Sequence, residues 1–177
     1  LRVRGFVAAH AANILRVRGR VKEAEAGFEK AKRLWHAGSD QDEVLDPGRL
    51  LDLEASLRRD QRQFDETLKL LDEARIVSRS KTHTLINKGF TLEVMGKYEH
   101  ALEAFLEAQP FVEKRGDTRL SYMLHFNIAV VCTHLNRFDE ASEMLDRVRE
   151  LAAERGDQNE LIRVTWLDGR IAARTDR

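Results

Sequence analysis

Two prolines in 177 residues, apolar residues recurring at three and four along nearly the whole chain, and a 13-residue pattern that returns four times together predict an all-α array of helical hairpins. The four stretches align without gaps: GRVKEAEAGFEKA (Gly19 to Ala31), RQFDETLKLLDEA (Arg62 to Ala74), GKYEHALEAFLEA (Gly96 to Ala108) and NRFDEASEMLDRV (Asn136 to Val148). Each begins with a turn residue and has a bulky apolar residue two positions on (Val21, Phe64, Tyr98, Phe138). A small one follows (Ala24, Thr67, Ala101, Ala141), then a large one (Phe28, Leu71, Phe105, Leu145). From Gly19 to Arg62, Gly96 and Asn136 the steps are 43, 34 and 40 residues.

Each stretch is the second helix of a hairpin. The first helices are the amphipathic runs before them, Arg4 to Val17, Leu50 to Arg59, Thr82 to Met95 and Leu120 to Leu135. Reversing direction within about three residues asks for a left-handed backbone, where Gly and Asn cost least. In the third hairpin Gly89 and Ala101 let two backbones approach while Phe105 fills the space beside them. Asp46-Pro47 reads as a cap followed by a first-turn proline. Gly116-Asp117 and Gly156-Asp157 read as helix stops followed by new caps, with Asp157 and Glu160 at capping-box spacing. Pro110 falls inside a second helix and is expected to bend it or end it near Ala108. Ala37 to Asp46 has the composition of a loop. The repeats therefore run 4–36, 48–78, 82–115 and 118–155, with a half-repeat at 158–175, in a single array over 1–177.

Composition narrows the function. With 42% apolar and 34% charged residues the chain can bury a core, and 30 basic against 30 acidic residues leave no global field to draw nucleic acid or an anionic membrane. Direct nucleic-acid binding and membrane binding are thus not expected. The single Cys132 excludes an internal disulfide framework and fits a reducing, cytoplasmic setting. No apolar run approaches the roughly 20 residues that span a bilayer. The chain opens at Leu1 without an initiator methionine, as expected of a piece of a longer protein.

Chemistry-bearing motifs are lacking. Gly89 to Lys97, GFTLEVMGK, has six residues between its glycines where a phosphate loop has four, and Tyr98 stands where a Ser or Thr would bind magnesium. Cys132 and His134 are two apart and leave a helix on different sides, with no second cysteine for zinc. Cys132 and His125 are two turns apart, about 10 Å along a helix axis and too far for proton transfer. The expectation is a chain with no catalytic residues, metal or cofactor, and Cys132 as a buried thiol.

These hairpins resemble the tetratricopeptide repeat (TPR), and the third copy is the nearest match through Leu85, Gly89, Leu92, Gly96, Tyr98, Ala101, Phe105 and Ala108. The signature tryptophan is absent from every copy, and the long spacings are more like the divergent repeats of bacterial regulators and peptide sensors. The resemblance implies a right-handed α-solenoid whose first helices line a concave groove. It places Asn13, Arg16, Arg49, Asp52, Ser56, Arg59, Ile86, Phe90, Phe126, Val130, Arg163, Trp166, Arg170 and Arg174 on that groove. Ile86, Phe90, Phe126 and Val130 form its apolar middle and arginines flank it. Ala9 and Asn13 occupy the places of the lysine and asparagine with which the co-chaperone members grip a C-terminal carboxylate, so that clamp is not expected. The function implied is a protein–protein or protein–peptide scaffold with a partner segment in the groove, acidic because arginine suits carboxylates. The alternative is the ligand- or peptide-sensing part of a bacterial regulator that controls a fused effector domain.

The last stretch, LIRVTWLDGRIAAR (Leu161 to Arg174), has a first-helix pattern with Gly169 at the place of Gly89. Val164, Leu167 and Ile171 are expected to pack near Leu145, Val148 and Ala152. The intact protein is expected to continue with a second helix, the rival reading being that this helix is the natural end cap. In the chain as given the exposed face is expected to be covered by another copy, as a homo-oligomer, or left weakly ordered.

Overall fold

The computed structural model describes residues 1–38 and 45–175, and the described residues form nine α-helices. They are α1 (Arg2–Val17), α2 (Val21–Ala37), α3 (Pro47–Asp60), α4 (Phe64–Val77), α5 (Lys81–Val94), α6 (Tyr98–Arg115), α7 (Thr118–His134), α8 (Phe138–Arg155) and α9 (Gln158–Thr175). The expected loop of Ala37 to Asp46 has its middle, 39–44, outside the described residues.

The turns within hairpins follow one backbone rule. Gly19 (φ 74°), Arg62 (61°), Gly96 (75°) and Asn136 (59°) are all left-handed, so an arginine takes at Arg62 a conformation that glycine takes at the equivalent place in the first and third copies. Each turn is closed by backbone bonds, as where Lys97 N–H donates to Leu92 O at 2.9 Å. Ahead of α3, α7 and α9 the caps are side chains. Asp46 Oδ1 accepts from Gly48 N–H at 3.0 Å, Asp117 Oδ1 from Leu120 N–H at 3.0 Å and Asp157 Oδ1 from Asn159 N–H at 2.9 Å. The return half of the expected capping box at Asp157 is diverted, since Glu160 Oε2 accepts instead from Arg155 Nε at 2.8 Å.

Helix α6 runs through Pro110 to Arg115 and stops at Gly116 (φ 65°), the stop expected there, so the alternative of an end near Ala108 is not taken. Pro110 lies on the exposed face of the helix, where the carbonyl that loses its donor is left to water.

The chain divides into two compact units, Leu1–Asn87 and Lys88–Arg177, with the division inside α5. In the first unit α1 and α2 lie so close that a Cβ on Gly5 would meet Ala31 O at 2.9 Å, and one on Gly27 would meet Ala12 Cβ at 2.8 Å. Small residues make this approach, and Phe28, Leu50, Leu53 and Leu57 complete the core beside Ala9, Ala12, Ala24 and Ala31. The Thr67 that replaces alanine in the second copy is fully buried. Its hydroxyl donates to Gln63 O at 2.8 Å, so the polar atom is satisfied within its own helix.

In the second unit Phe105 is fully buried against Gly89, where a Cβ would stand 2.6 Å from the ring. Ala101, Leu124, Ile128, Val131, Leu145 and Val148 extend this core. Helix α9 buries Val164, Leu167 and Ile171 and lies against α7 and α8. Tyr122 Oη donates to Glu160 O at 3.3 Å, and Arg149 pairs with Asp168 at 2.7 Å. Nothing lies within 4 Å of a Cβ built on Gly169. No helix among the described residues is long and apolar enough to cross a membrane.

Candidate partner-binding site

In the first unit the residues assigned to a groove are largely occupied by the unit itself. Arg16 donates through Nε to Asn13 Oδ1 at 2.9 Å, and its Nη1 pairs with Asp60. Arg59 is 9% exposed, with its Nε 3.9 Å from Asp60, which corrects its expected role as an open flank. Arg49 is half-buried, and its pKa is lowered by desolvation against the opposing pull of Asp52 and Asp46. Its charge also helps to lower the pKa of His10, after the larger effect of burial. Ile86 is 6% exposed and is a core residue.

Asp52 is the most unusual group here. It is 1% exposed, its Oδ2 accepts from Thr84 Oγ1 at 3.2 Å, and its Oδ1 is buried without a hydrogen-bond partner. Burial pushes its carboxyl up to about 6, although Thr84 and Arg49 pull the other way. Beside it on α3 runs a network absent from the sequence reading. Arg58 Nη1 reaches Glu25 at 2.9 Å and its Nη2 reaches Glu54 at 3.3 Å, while Lys32 Nζ joins Glu29 at 2.7 Å and Glu54 at 3.0 Å. Its local traces were the i,i+4 pair of Glu54 and Arg58 and the i,i+3 pair of Glu29 and Lys32, whereas the contacts that join α2 to α3 depend on packing.

In the second unit the same helix faces are open. Phe126 is half-buried, stacked on Tyr122 with centroids 5.9 Å apart, and the Arg163 guanidinium lies 6.0 Å from the centre of its ring. Arg170 lies 4.8 Å from the ring centre of Trp166, which is 56% exposed. At the end of α7 His134 stacks flat on Tyr98 at 4.4 Å, a pairing that sequence alone did not suggest. Burial and then the nearby Arg170 and Arg174 charges lower the pKa of His134. Among the described residues no carboxylate pairs with Arg163, Arg170 or Arg174. Phe90 is 37% exposed, whereas Val130 at 9% belongs to the core.

The residues once considered for catalysis are spent on structure. Cys132 is buried and its thiol is pushed up to about 11 by desolvation. His125 Nδ1 is 2.7 Å from Ser121 O in its own helix. Among the described residues no group of three His, Cys, Asp or Glu is placed to hold a metal.

No protein-family model and no curated protein matches the chain. Among solved structures it is similar to PilF of Pseudomonas aeruginosa, with a TM-score of 0.68 over 97% of this chain and 77% of that one, at 14% identity. That likeness, with the described helices α1 to α8 following one another as hairpins and α9 after them, defines an all-α helical-repeat fold of the TPR-like kind.

Proposed function

We propose that the chain is a protein-interaction module that holds a segment of a partner protein against the faces of its first helices, and that the segment is acidic. The observation that carries this is the row Arg163, Trp166, Arg170 and Arg174 on α9, of which Arg163 lies over Phe126 on α7. Among the described residues no carboxylate meets these three guanidinium groups, and two of them are laid over aromatic rings. Stacking orients a guanidinium while leaving its N–H edge available, so carboxylates from outside meet donors that are already positioned. In the first unit Arg16 and Arg59 face Asp60 instead, and the acidic part of the segment is assigned to the second unit. No step of this reading calls for catalysis or a cofactor.

A peptide library displayed against the purified chain tests it. Enrichment of acidic sequences is expected, with affinity falling as salt rises. Recovery of basic or neutral sequences, or full affinity after Arg163→Ala and Arg170→Ala together, would remove the proposal.

A further inference from the structure

Helix α1 carries a second surface, unrelated to the first-helix faces above. Its small residues Gly5, Ala9 and Ala12 are buried, and α2 sits on that side. On the opposite side Val3 (48% exposed), Val7 (61%), Ile14 (55%) and Val17 (69%) stand in the open. Scattered exposed apolar side chains are ordinary, but these four fall at alternating steps of four and three once His10 is included between Val7 and Ile14. His10 is itself half-buried, with its ring 4.8 Å from Phe6. Steps of four and three are what a helix shows to another helix along a packing seam.

Charge says what kind of helix fits. From Leu1 to Arg20 there is no aspartate or glutamate, while Arg4 and Arg18, both exposed, border one side of the seam two heptads apart. A second α1 laid on this one would bring arginines against arginines. We infer that the exposed seam of α1, Val3, Val7, Ile14 and Val17, is a docking surface for an amphipathic helix of a partner protein whose apolar stripe is bordered by acidic residues. Apolar side chains supply the contact area, and Arg4 and Arg18 select the sign of the partner's border.

The test uses the full chain and two labelled synthetic helices with leucines at steps of three and four, one bordered by glutamates and the other by lysines, followed by fluorescence anisotropy. The glutamate peptide is expected to bind at least tenfold more tightly. Val7→Lys with Ile14→Lys lowers that binding at least tenfold without moving the thermal midpoint, since both side chains are exposed. Arg4→Glu with Arg18→Glu reverses the preference toward the lysine peptide. Substituting Arg163 and Arg170 leaves it unchanged, which separates this surface from the one on α9. The inference is overturned if the glutamate peptide does not bind, if both peptides bind alike, or if Val7→Lys with Ile14→Lys has no effect. It is equally overturned if the chain sediments as a dimer that Val7→Lys disperses, because a second copy would then be the occupant.

Discussion

The two units place arginines on equivalent helix faces and use them in opposite ways. In the first, Arg16 is held by Asn13 and Asp60, and Arg59 has its Nε 3.9 Å from Asp60, so both face a carboxylate of their own unit. In the second, Arg163 and Arg170 lie on Phe126 and Trp166, and no carboxylate meets them among the described residues. The difference teaches that an arginine at a groove position is no sign of an anion site until its own neighbours have been counted. A carboxylate neighbour turns it into a structural element, whereas an aromatic one orients it and leaves its donors open.

The largest expected effect lies in the core of the second unit. Phe105→Ala should destabilise the chain by about 3–5 kcal/mol, the range for loss of a fully buried aromatic. Urea denaturation measures it, and an unchanged midpoint would show that Phe105 does not belong to the core of this unit. In the first unit Glu54→Ala strips Arg58 and Lys32 of a shared carboxylate that is 3% exposed, and a loss of about 3 kcal/mol is expected. A loss below about 0.5 kcal/mol, as for ordinary surface sites, would erase the contrast between the units.

Asp52 sharpens the comparison through pH. Its folded pKa of about 6 lies above the ordinary 3.8, so the folded chain binds a proton more tightly than the unfolded one. Ionisation of Asp52 therefore costs stability as pH rises from about 4 through 6, and the cost is fully present at neutral pH. Asp52→Asn should stabilise the chain by about 1–3 kcal/mol at pH 7, and the advantage should fade toward pH 4. Paired thermal melts at the two pH values check this, and a gain equal at both would mean that the charge is not its source.

The smallest stability effects belong to the open arginines. Arg163→Ala, Arg170→Ala and Arg174→Ala should each change stability by less than about 0.5–1 kcal/mol, the scale of exposed charges and stacked cations. Their effect is expected in binding of an acidic peptide. Titration calorimetry on these variants and on Arg16→Ala separates the units, and an equal loss of affinity from Arg16→Ala would end the distinction drawn between them.

Much of the fold was legible because helix hairpins are written locally. The turn at Asn136 needs a residue that tolerates positive φ, the cap at Asp46 needs an oxygen two residues before Gly48 N–H, and Phe105 stands at helical spacing from Ala101 and Ala108. Even the unlikely Arg62 was readable as a turn from its register with Gly19 and Gly96. At Pro110 only the alternative of an early end near Ala108 fails, for a physical reason. A proline stops a helix only where the lost hydrogen bond and the backbone tilt cannot be absorbed, and exposure at that position is not local information. Site residues were legible as positions and not as states. Val130 and Phe126 share a helix and an apolar character, yet one is core and the other half-open.

By itself the sequence determined where each helix begins and ends, which face of each is apolar and where the chain reverses, because these depend on contacts within a few residues. Only the tertiary structure decided which charges meet. Asp60 reaches Arg16 from 44 residues away, Glu25 reaches Arg58 from 33, and Phe126 lies under Arg163 on a different helix. Coulombic and stacking energies depend on distance and on the water between groups, and both are set by packing between helices rather than by spacing along one.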